Sequence, residues 1–240
     1  MDFFSKSAAK VRFFDEKQYI CSRKLRNSMK KIFKAALFDL DGVVLDTESQ
    51  YSCFWGGIGR EYHANIPDFA DRIKGQTLTQ IYDGWFAGQE SLQQAITCRL
   101  NEFEASMHFP YINGARAYIE QLQREGIKMA IVTSSNQAKM RSAYGEHPEL
   151  HQLFDRILTS EDFAASKPAP DCYLLGAQVF GVEPSECVVF EDSINGLRAG
   201  RDSGAYVVGL STTNPAEVIR PLADLVVSDF TSPDLSRLTC

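Results

Sequence analysis

The sequence predicts an α/β fold, in which a Rossmann-like parallel sheet flanked by helices carries a small inserted all-helical cap domain. Two observations lead to this prediction. Short apolar segments typical of buried strands alternate with helical segments along most of the 240 residues, and such alternation indicates parallel strands joined by right-handed helical crossovers. The alternation stops over residues 48–112, where helical patterns follow one another without a convincing strand.

Each predicted strand is a short apolar run that ends at a turn or at polar residues. The first is Phe33–Leu40, which leads into an acidic turn around Asp41. The other predicted strands are Ile127–Thr133, Phe154–Leu158, Cys187–Phe190, Tyr206–Leu210 and Leu225–Val227. The predicted helices between them are Ala115–Glu125, Gln137–Tyr144, Asp171–Phe180 and Ile194–Ser203.

The helical interruption predicts a second domain. Pro110 and Gly114 are expected to form the hinge by which the chain returns from it. We therefore predict an α/β catalytic core formed by residues 29–47 and 113–240, and a helical cap domain formed by residues 48–112. The helical stretches of the cap are Glu48–Tyr62, Thr79–Phe86 and Ser91–Met107.

Residues 1–28 differ from the rest of the chain in charge. They carry seven basic and three acidic side chains, a net charge of +4, which leaves −10 for residues 29–240. They show no sustained apolar period, although a short strand could begin at Val11. We expect a disordered basic extension, or an upstream start that precedes a natural one at Met29. A basic tail that contacts a partner is the alternative.

Composition limits the class of protein. The chain is 44% hydrophobic and 23% charged, close to the average for soluble globular proteins. The acidic body has no basic stripe and argues against nucleic acid as a partner, and no apolar run approaches the ~18 residues of a membrane span. The six cysteines form no CxxC pair and the start lacks signal-peptide features, so we expect free thiols in the cytoplasm. No obligatory protein partner is evident.

Two aspartates lie across the end of the first predicted strand, where open parallel sheets bind ligands. Asp39 and Asp41 can face one site if the chain turns there, and Gly42 permits that turn. Asp39 would attack phosphorus to give an aspartyl-phosphate. Asp41 would protonate the leaving oxygen and later deprotonate water. The alternative, a solvated acidic turn, explains poorly why the pair follows a fully apolar strand.

Two further segments could bind a phosphoryl group. Thr133, Ser134 and Asn136 follow the second strand, and a hydroxyl with successive backbone N–H groups at a helix start forms an anion site. Serine and asparagine are also ordinary helix N-caps, so capping remains an alternative. Lys167 lies in a loop between restricting prolines and would supply a fixed cation, although a loop lysine can equally be a surface residue.

Glu191 and Asp192 follow the strand predicted at Cys187–Phe190. Adjacent carboxylates after a buried strand suit a hard, oxygen-liganded cation such as Mg²⁺. Acidic residues also favour the N-terminal end of a helix, which is the alternative explanation. The two residues are therefore candidate ligands of a Mg²⁺ cofactor at this edge of the sheet.

In order and position these four segments resemble the signature of the haloacid dehalogenase superfamily. The resemblance covers about residues 31–240, and its most specific parts are Phe33–Thr47, Lys167–Tyr173 and Val188–Gly200. It implies an enzyme that transfers the phosphoryl group of a small phosphorylated metabolite.

The resemblance also implies a role for each matching residue. Asp39 would be the nucleophile and Asp41 the acid and base, and Thr133 and Lys167 would hold the transferring phosphoryl group. The magnesium sphere would consist of Asp39, the main-chain carbonyl of Asp41, and one or both of the acids that follow the strand. Those two acids are Glu191 and Asp192.

The insert resembles the cap of the branch that contains β-phosphoglucomutase and small sugar-phosphate phosphatases. Two positions depart from the mutase pattern: Tyr51 stands where the mutase has a histidine, and Leu78 where it has an arginine. Because those residues help to hold a second phosphate and to suppress attack by water, the departures favour a phosphatase. The substrate-binding residues expected on this basis are Thr47, Ser134, Asn136, Lys74 and Tyr51.

The leading hypothesis is therefore a Mg²⁺-dependent phosphatase of sugar phosphates. β-Phosphoglucomutase is the alternative. A non-catalytic protein that binds phosphometabolites is disfavoured, since it would have no reason to keep Asp39, Asp41, Lys167 and Asp192 together.

Overall fold

The main sheet has six parallel strands. The computed structural model describes residues 31–74 and 76–239, of which Lys31, Ile32 and Thr239 are described in their backbone only. The strands are β2 (Ala35–Phe38), β3 (Lys128–Val132), β4 (Arg156–Leu158), β5 (Cys187–Glu191), β6 (Tyr206–Leu210) and β7 (Leu225–Val227). Their order is β4-β3-β2-β5-β6-β7, which confirms the Rossmann-like α/β prediction. A separate parallel pair joins β1 (Lys31–Ile32) to β8 (Leu238–Thr239).

Within residues 48–106, which follow β2, the chain forms four helices and no strand among the described residues. These helices are α1 (Glu48–Tyr62), α2 (Phe69–Arg72), α3 (Leu78–Trp85) and α4 (Glu90–Ser106). They share an apolar cluster of their own, which includes Trp55, Ile58, Phe69, Ile81 and Phe86. We call them the cap helices. Their separate cluster supports the division into core and cap, which stays a prediction.

Where the chain enters and leaves the cap helices, its two segments run side by side. The backbone N–H of Asp46 donates to the carbonyl of Pro110 at 2.7 Å, and that of Ile112 donates to the carbonyl of Val44 at 3.0 Å. An antiparallel bridge joins Leu45 to Tyr111 between them. The two chain segments that connect the core to the cap helices therefore lie next to each other.

Helices cover both faces of the sheet. They are α5 (Ala115–Arg124), α6 (Gln137–Glu146), α7 (Leu150–Leu153), α8 (Asp171–Gln178), α9 (Ile194–Ser203) and α10 (Ala216–Ile219). Alternate residues of a strand point to opposite faces, so Ala36 and Phe38 of β2 pack in one core cluster with residues of α5 and α6. Ala35 and Leu37 pack in the other, with residues of α8 and α9. Two covered faces explain why all four residues of β2 are apolar and buried.

The position of β2 brings the polar strand ends together. Its neighbours are β3 and β5, and Phe38 lies opposite both Ile131 and Phe190. Along the chain, β3 and β4 are added on one side of β2, and β5, β6 and β7 are then added on its other side. The direction in which strands are added therefore reverses beside β2. Ligands bind at such a switch point, outside the carboxyl ends of the strands.

The observed elements differ from the predicted ones mainly in length. The first strand ends at Phe38 rather than Leu40, since the carbonyl of Leu40 already accepts three backbone N–H groups in the following turn. The short elements β1, β8, α2, α7 and α10 were not predicted. The predictions for residues 1–28, with a short strand at Val11, and for a natural start at Met29 lie outside the described residues. None of the described helices combines the length and apolarity needed to cross a membrane.

Candidate active site

A cavity of about 470 Å³ lies at the carboxyl ends of β2, β3 and β5, and residues of the cap helices line its other side. It collects most of the residues that the sequence singled out. Those that line it are Asp39, Asp41, Thr133, Ser134, Asn136, Lys167 and Asp192 from the core, and Tyr51 and Lys74 from the cap side. Thr47 and Glu191 lie behind this lining and contact residues within it.

Asp39, directly after β2, is paired with a buried lysine. Lys167 Nζ lies 2.7 Å from Asp39 Oδ1 and 2.7 Å from Glu191 Oε1, and it also donates to the carbonyl of Val132 at 3.1 Å. Burial raises the pKa of Asp39 to about 7, with Lys167 lowering it and Glu191 raising it. Burial disfavours the ammonium of Lys167, but the two carboxylates outweigh it and hold the lysine pKa well above its usual range.

Glu191, the last residue of β5, is fully buried and accepts five hydrogen bonds. Its Oε1 takes Lys167 Nζ and the Tyr173 hydroxyl, the latter at 2.9 Å. Its Oε2 takes the backbone N–H groups of Asp192 and Ser193 and the Ser193 hydroxyl, at 2.9–3.1 Å. Both oxygens are thus already occupied, and the carboxylate holds Lys167 in place.

Asp192 lies against the turn that follows Asp39. The Thr213 hydroxyl donates to its Oδ2 and the Asn214 side chain donates to its carbonyl at 3.0 Å. Gly42 has a φ of +73°, and a Cβ there would lie 2.1 Å from Asp192 Oδ2. Only glycine therefore allows this turn and this close approach.

The carboxylates of this corner suit a hard cation. Asp39, Glu191 and Asp192 are all buried and each offers an oxygen within 4.8 Å of the others. Burial and the charge of Glu191 raise the pKa of Asp192 well above its usual range, so a bound cation would offset an unfavourable concentration of negative charge. An all-oxygen donor set is the one Mg²⁺ prefers. The residues present therefore fit this ion.

Asp41 faces a different set of donors. Thr47 donates to its Oδ1, and Ser135 Oγ and Lys139 Nζ donate to its Oδ2 at 2.9 Å and 2.5 Å. Burial would raise the pKa of Asp41, but the charge of Lys139 and the three hydrogen bonds together lower it. The Asp41 side chain is thereby held by hydrogen bonds from three residues.

The turn after β3 presents hydroxyl groups to the cavity. Thr133 is 1% exposed, and its Oγ1 accepts the backbone N–H of Ser135 at 3.0 Å. Ser134 Oγ is buried and has no hydrogen-bond partner among the described residues, as expected of a group that awaits a ligand. Asn136 caps α6, because its side chain accepts the N–H of Lys139 at 2.9 Å. The capping explanation therefore holds for Asn136.

The cap side of the cavity combines aromatic, apolar and acidic groups. Tyr51 donates its hydroxyl to Glu104 Oε1 at 2.7 Å, and Lys74 pairs with Asp71 at 2.9 Å. Trp55, Leu78 and Glu48 also line the cavity, so Trp55 serves both the cap cluster and the cavity wall. Burial raises the pKa of Glu48 to about 7, and the charge of Asp41 adds to this shift.

The match to a known family comes from most of the chain. The model of haloacid dehalogenase-like hydrolases matches residues 33–204. This chain belongs to that hydrolase family. It is 30% identical over 209 residues to validoxylamine A 7'-phosphate phosphatase of Streptomyces hygroscopicus subsp. limoneus, covering 83% of this chain and 95% of the relative.

Two further family members illustrate its range. β-Phosphoglucomutase of Mycobacterium bovis is 29% identical over 238 residues, covering 82% of this chain and 90% of the mutase. A crystal structure of a HAD hydrolase, family IA, variant 3, from Entamoeba histolytica has the same fold, with a TM-score of 0.71, 23% identity and coverage of 82% and 94%. The chain is therefore an enzyme of a family whose members include phosphatases and phosphomutases.

Several residues of this hydrolase site could not be found from the sequence motifs. Five of them line the cavity, namely Glu48, Glu104, Ser135, Lys139 and Thr213. The sixth is Tyr173, which donates to Glu191 behind the lining. Tyr173 lies within the segment of specific resemblance but had no assigned role. Lys139 offered one weak signal: it directly precedes Met140 on the buried side of α6, where an unpaired lysine would be costly.

Proposed function

We propose that this hydrolase is a Mg²⁺-dependent phosphatase of small phosphorylated metabolites, sugar phosphates above all, and that it acts through an aspartyl-phosphate on Asp39. The observation that carries the proposal is the buried ion-paired group of Asp39, Lys167 and Glu191 at the floor of the cavity. A carboxylate beside a fixed cation, in a cavity lined on one side by the cap helices, is suited to attack on a phosphorus atom.

In the first step Asp39 attacks phosphorus and the leaving alcohol departs. Lys167 binds Oδ1 of Asp39, which leaves Oδ2 as the attacking atom. The phosphoryl oxygens would meet Lys167 and the hydroxyls of Thr133 and Ser134. Asp41 is ionised beside Lys139, so it would first take up a proton from the bound phosphate monoester monoanion and then give it to the leaving oxygen. In the second step it would take a proton from the water that attacks the aspartyl-phosphate.

Mg²⁺ bound in this corner would neutralise charge on the phosphoryl group. We infer that Asp39 and Asp192 supply its side-chain ligands, together with the main-chain carbonyl of Asp41. Glu191 was a candidate ligand on the sequence. Because its oxygens already accept five hydrogen bonds, we assign it instead to positioning Lys167.

The cap residues favour a phosphatase over a mutase. A mutase must hold a second phosphate, which calls for a free cation on the cap side. Lys74 is paired with Asp71, Arg72 with Asp68, and Leu78 is apolar. Glu48 and Glu104 on the same wall offer no positive charge to a second phosphate.

A panel of sugar monophosphates, assayed with Mg²⁺ for release of inorganic phosphate, tests this function. β-Glucose 1-phosphate belongs in the panel, and its products should be assayed with and without a bisphosphate primer. We expect phosphate release and little glucose 6-phosphate. Conversion to glucose 6-phosphate faster than phosphate release would assign the chain to the mutases, and no phosphate release from any substrate would refute both.

A further inference from the structure

Lys139 places a buried cation in the cavity wall that none of the motifs explains. Its side chain is only 5% exposed, and it lies in the first turn of α6 beside the buried Met140. Burying an ammonium group is costly unless it is paired and hydrogen-bonded. The contacts that offset this cost therefore indicate the role of Lys139.

On the core side, Lys139 holds one oxygen of Asp41. Its Nζ donates to Asp41 Oδ2 at 2.5 Å, an oxygen that Ser135 Oγ also reaches at 2.9 Å. Thr47 donates to the other oxygen. Of these three donors only Lys139 is charged, and charge-assisted hydrogen bonds are the stronger ones. Lys139 is therefore the principal restraint on the direction in which Asp41 points.

On the cap side, Lys139 is held by an aromatic ring. Its Nζ lies 4.3 Å from the centroid of the Tyr51 ring, a distance typical of cation–π contacts. The Tyr51 hydroxyl in turn donates to Glu104 Oε1 at 2.7 Å. Tyr51 belongs to α1 and Glu104 to α4, so two cap helices fix the lysine that fixes Asp41.

We propose that Lys139 is a positioning residue for Asp41, which it holds against the leaving-group oxygen of the substrate through its contact with Oδ2. This assignment rests on the proposed function, since it presumes phosphoryl transfer to Asp39 with Asp41 as the acid. It also gives Tyr51 a role other than binding substrate: the ring supports the lysine from the cap.

If Lys139 positions Asp41 and does not merely stabilise the fold, the loss of rate on removing Lys139 should depend on the leaving group of the substrate. Phenolate is a poor leaving group and needs a proton from Asp41 as the P–O bond breaks. p-Nitrophenolate leaves without that help. Phenyl phosphate and p-nitrophenyl phosphate differ little in shape, so a displaced Asp41 would slow the first far more than the second. The ratio kcat/KM includes the steps up to release of the phenol and isolates this part of the reaction.

The test compares the two substrates, with Mg²⁺ present, in wild type, Lys139→Met, Lys139→Arg and Arg141→Met. Lys139→Met should lower kcat/KM about ten- to a hundredfold for phenyl phosphate and less than about threefold for p-nitrophenyl phosphate, since general acid catalysis contributes on the order of 10²–10⁴. Lys139→Arg, which can still donate to Asp41, should recover part of the loss. Arg141→Met removes a charge from an exposed position of α6 and should behave as wild type.

Two controls make the result decisive. Asp41→Asn should show the same selective loss of kcat/KM for phenyl phosphate, although its kcat should fall on both substrates because Asp41 also activates the attacking water. An unchanged melting temperature shows that each variant is folded. Equal losses of Lys139→Met on both substrates, or no loss on either, would overturn the positioning role. If wild type hydrolyses neither phosphate ester nor any sugar phosphate, the proposed function itself fails, which is a separate outcome.

Discussion

At the scale of the residue, the negative charge of Asp39 is opposed by its surroundings. Burial is the main cause, and Glu191 adds to it, while Lys167 acts in the other direction. A group in such a balance responds strongly to changes in charge nearby. Two predictions concern this residue.

Asp39→Asn should reduce turnover by at least about a hundredfold, because an amide is a poor nucleophile and loses the charge that a metal ion needs. The measurement is phosphate release from the best substrate of the panel, with the melting temperature as a check that the variant folds. A folded variant with more than about a hundredth of wild-type activity would show that Asp39 is not the nucleophile.

Without metal, Asp39 should also make stability depend on pH. Its pKa is about 7 in the folded protein against 3.8 for the unperturbed group, so between these values the folded state binds more protons than the unfolded one. The contribution of Asp39 to the free energy of unfolding is fully present below pH 3.8 and is lost as the pH rises towards about 7. The free energy of unfolding of metal-free wild type should therefore fall, relative to Asp39→Asn, from about pH 4 to pH 7. Parallel curves for the two proteins would contradict the raised pKa.

At the scale of the element, the start of α9 is built around the carboxylate at the end of β5. Ser193 caps the helix by accepting the N–H of Gly196 at 3.0 Å, and its own N–H and hydroxyl donate to Glu191. Gly196 is the third residue of the helix, and a Cβ there would lie 1.7 Å from Glu191 Oε1. The helix can approach the strand end only because this position lacks a side chain.

Gly196→Ala should accordingly displace Glu191 and with it Lys167. We expect a loss of about 1–3 kcal/mol in the free energy of unfolding, as for other overpacked sites, together with reduced kcat. Gly84→Ala is the matched control: Gly84 lies in α3 with nothing within 4 Å of the added Cβ, and alanine there should stabilise the helix by up to about 1 kcal/mol. Similar effects of both changes on activity would argue against the packing explanation.

At the scale of the whole molecule, the metal should link activity to folding. Excess chelator should abolish phosphatase activity and Mg²⁺ should restore it, whereas Zn²⁺ should substitute poorly in an all-oxygen site. Because Mg²⁺ would bind only the folded state, it should also raise the melting temperature. Asp192→Asn should weaken this rise. Full activity in metal-free buffer would exclude the proposed cofactor.

Most of the architecture was predictable because its signals are local. The helix Glu48–Tyr62 and the strand Tyr206–Leu210 have the predicted bounds, since each has a clear apolar pattern and a defined end. Four-residue helices such as Phe69–Arg72 are too short for a helical period to show. The pairing of Lys31–Ile32 with Leu238–Thr239 joins opposite ends of the described chain, which no local pattern reveals.

The cavity residues were predictable from local patterns mainly where they follow strands, whereas Lys167, Tyr51 and Lys74 were predicted from a loop motif and from the family resemblance. Asp39, Thr133 and Asp192 each follow directly on the last residue of a buried strand. The order of the strands in the sheet then brings these three residues together. Lys139 and Glu104 lie inside helices, 98 residues from Asp41 and 53 from Tyr51 respectively. Their partners are set by how the cap helices rest on the core, and that arrangement depends on tertiary packing rather than on spacing in the sequence.

The paired chain segments that connect the core to the cap helices have an evolutionary consequence. Because Asp46 and Ile112 are hydrogen-bonded to the opposite segment, the core needs only two adjacent chain ends to close its own fold. An insert of almost any length can join such ends at a small cost in loop entropy. The cap wall of the cavity can therefore diverge between descendants of one gene without altering the strand ends where the phosphorus chemistry would occur. Exchanging residues 48–109 for the insert of a relative would reproduce this kind of change by experiment.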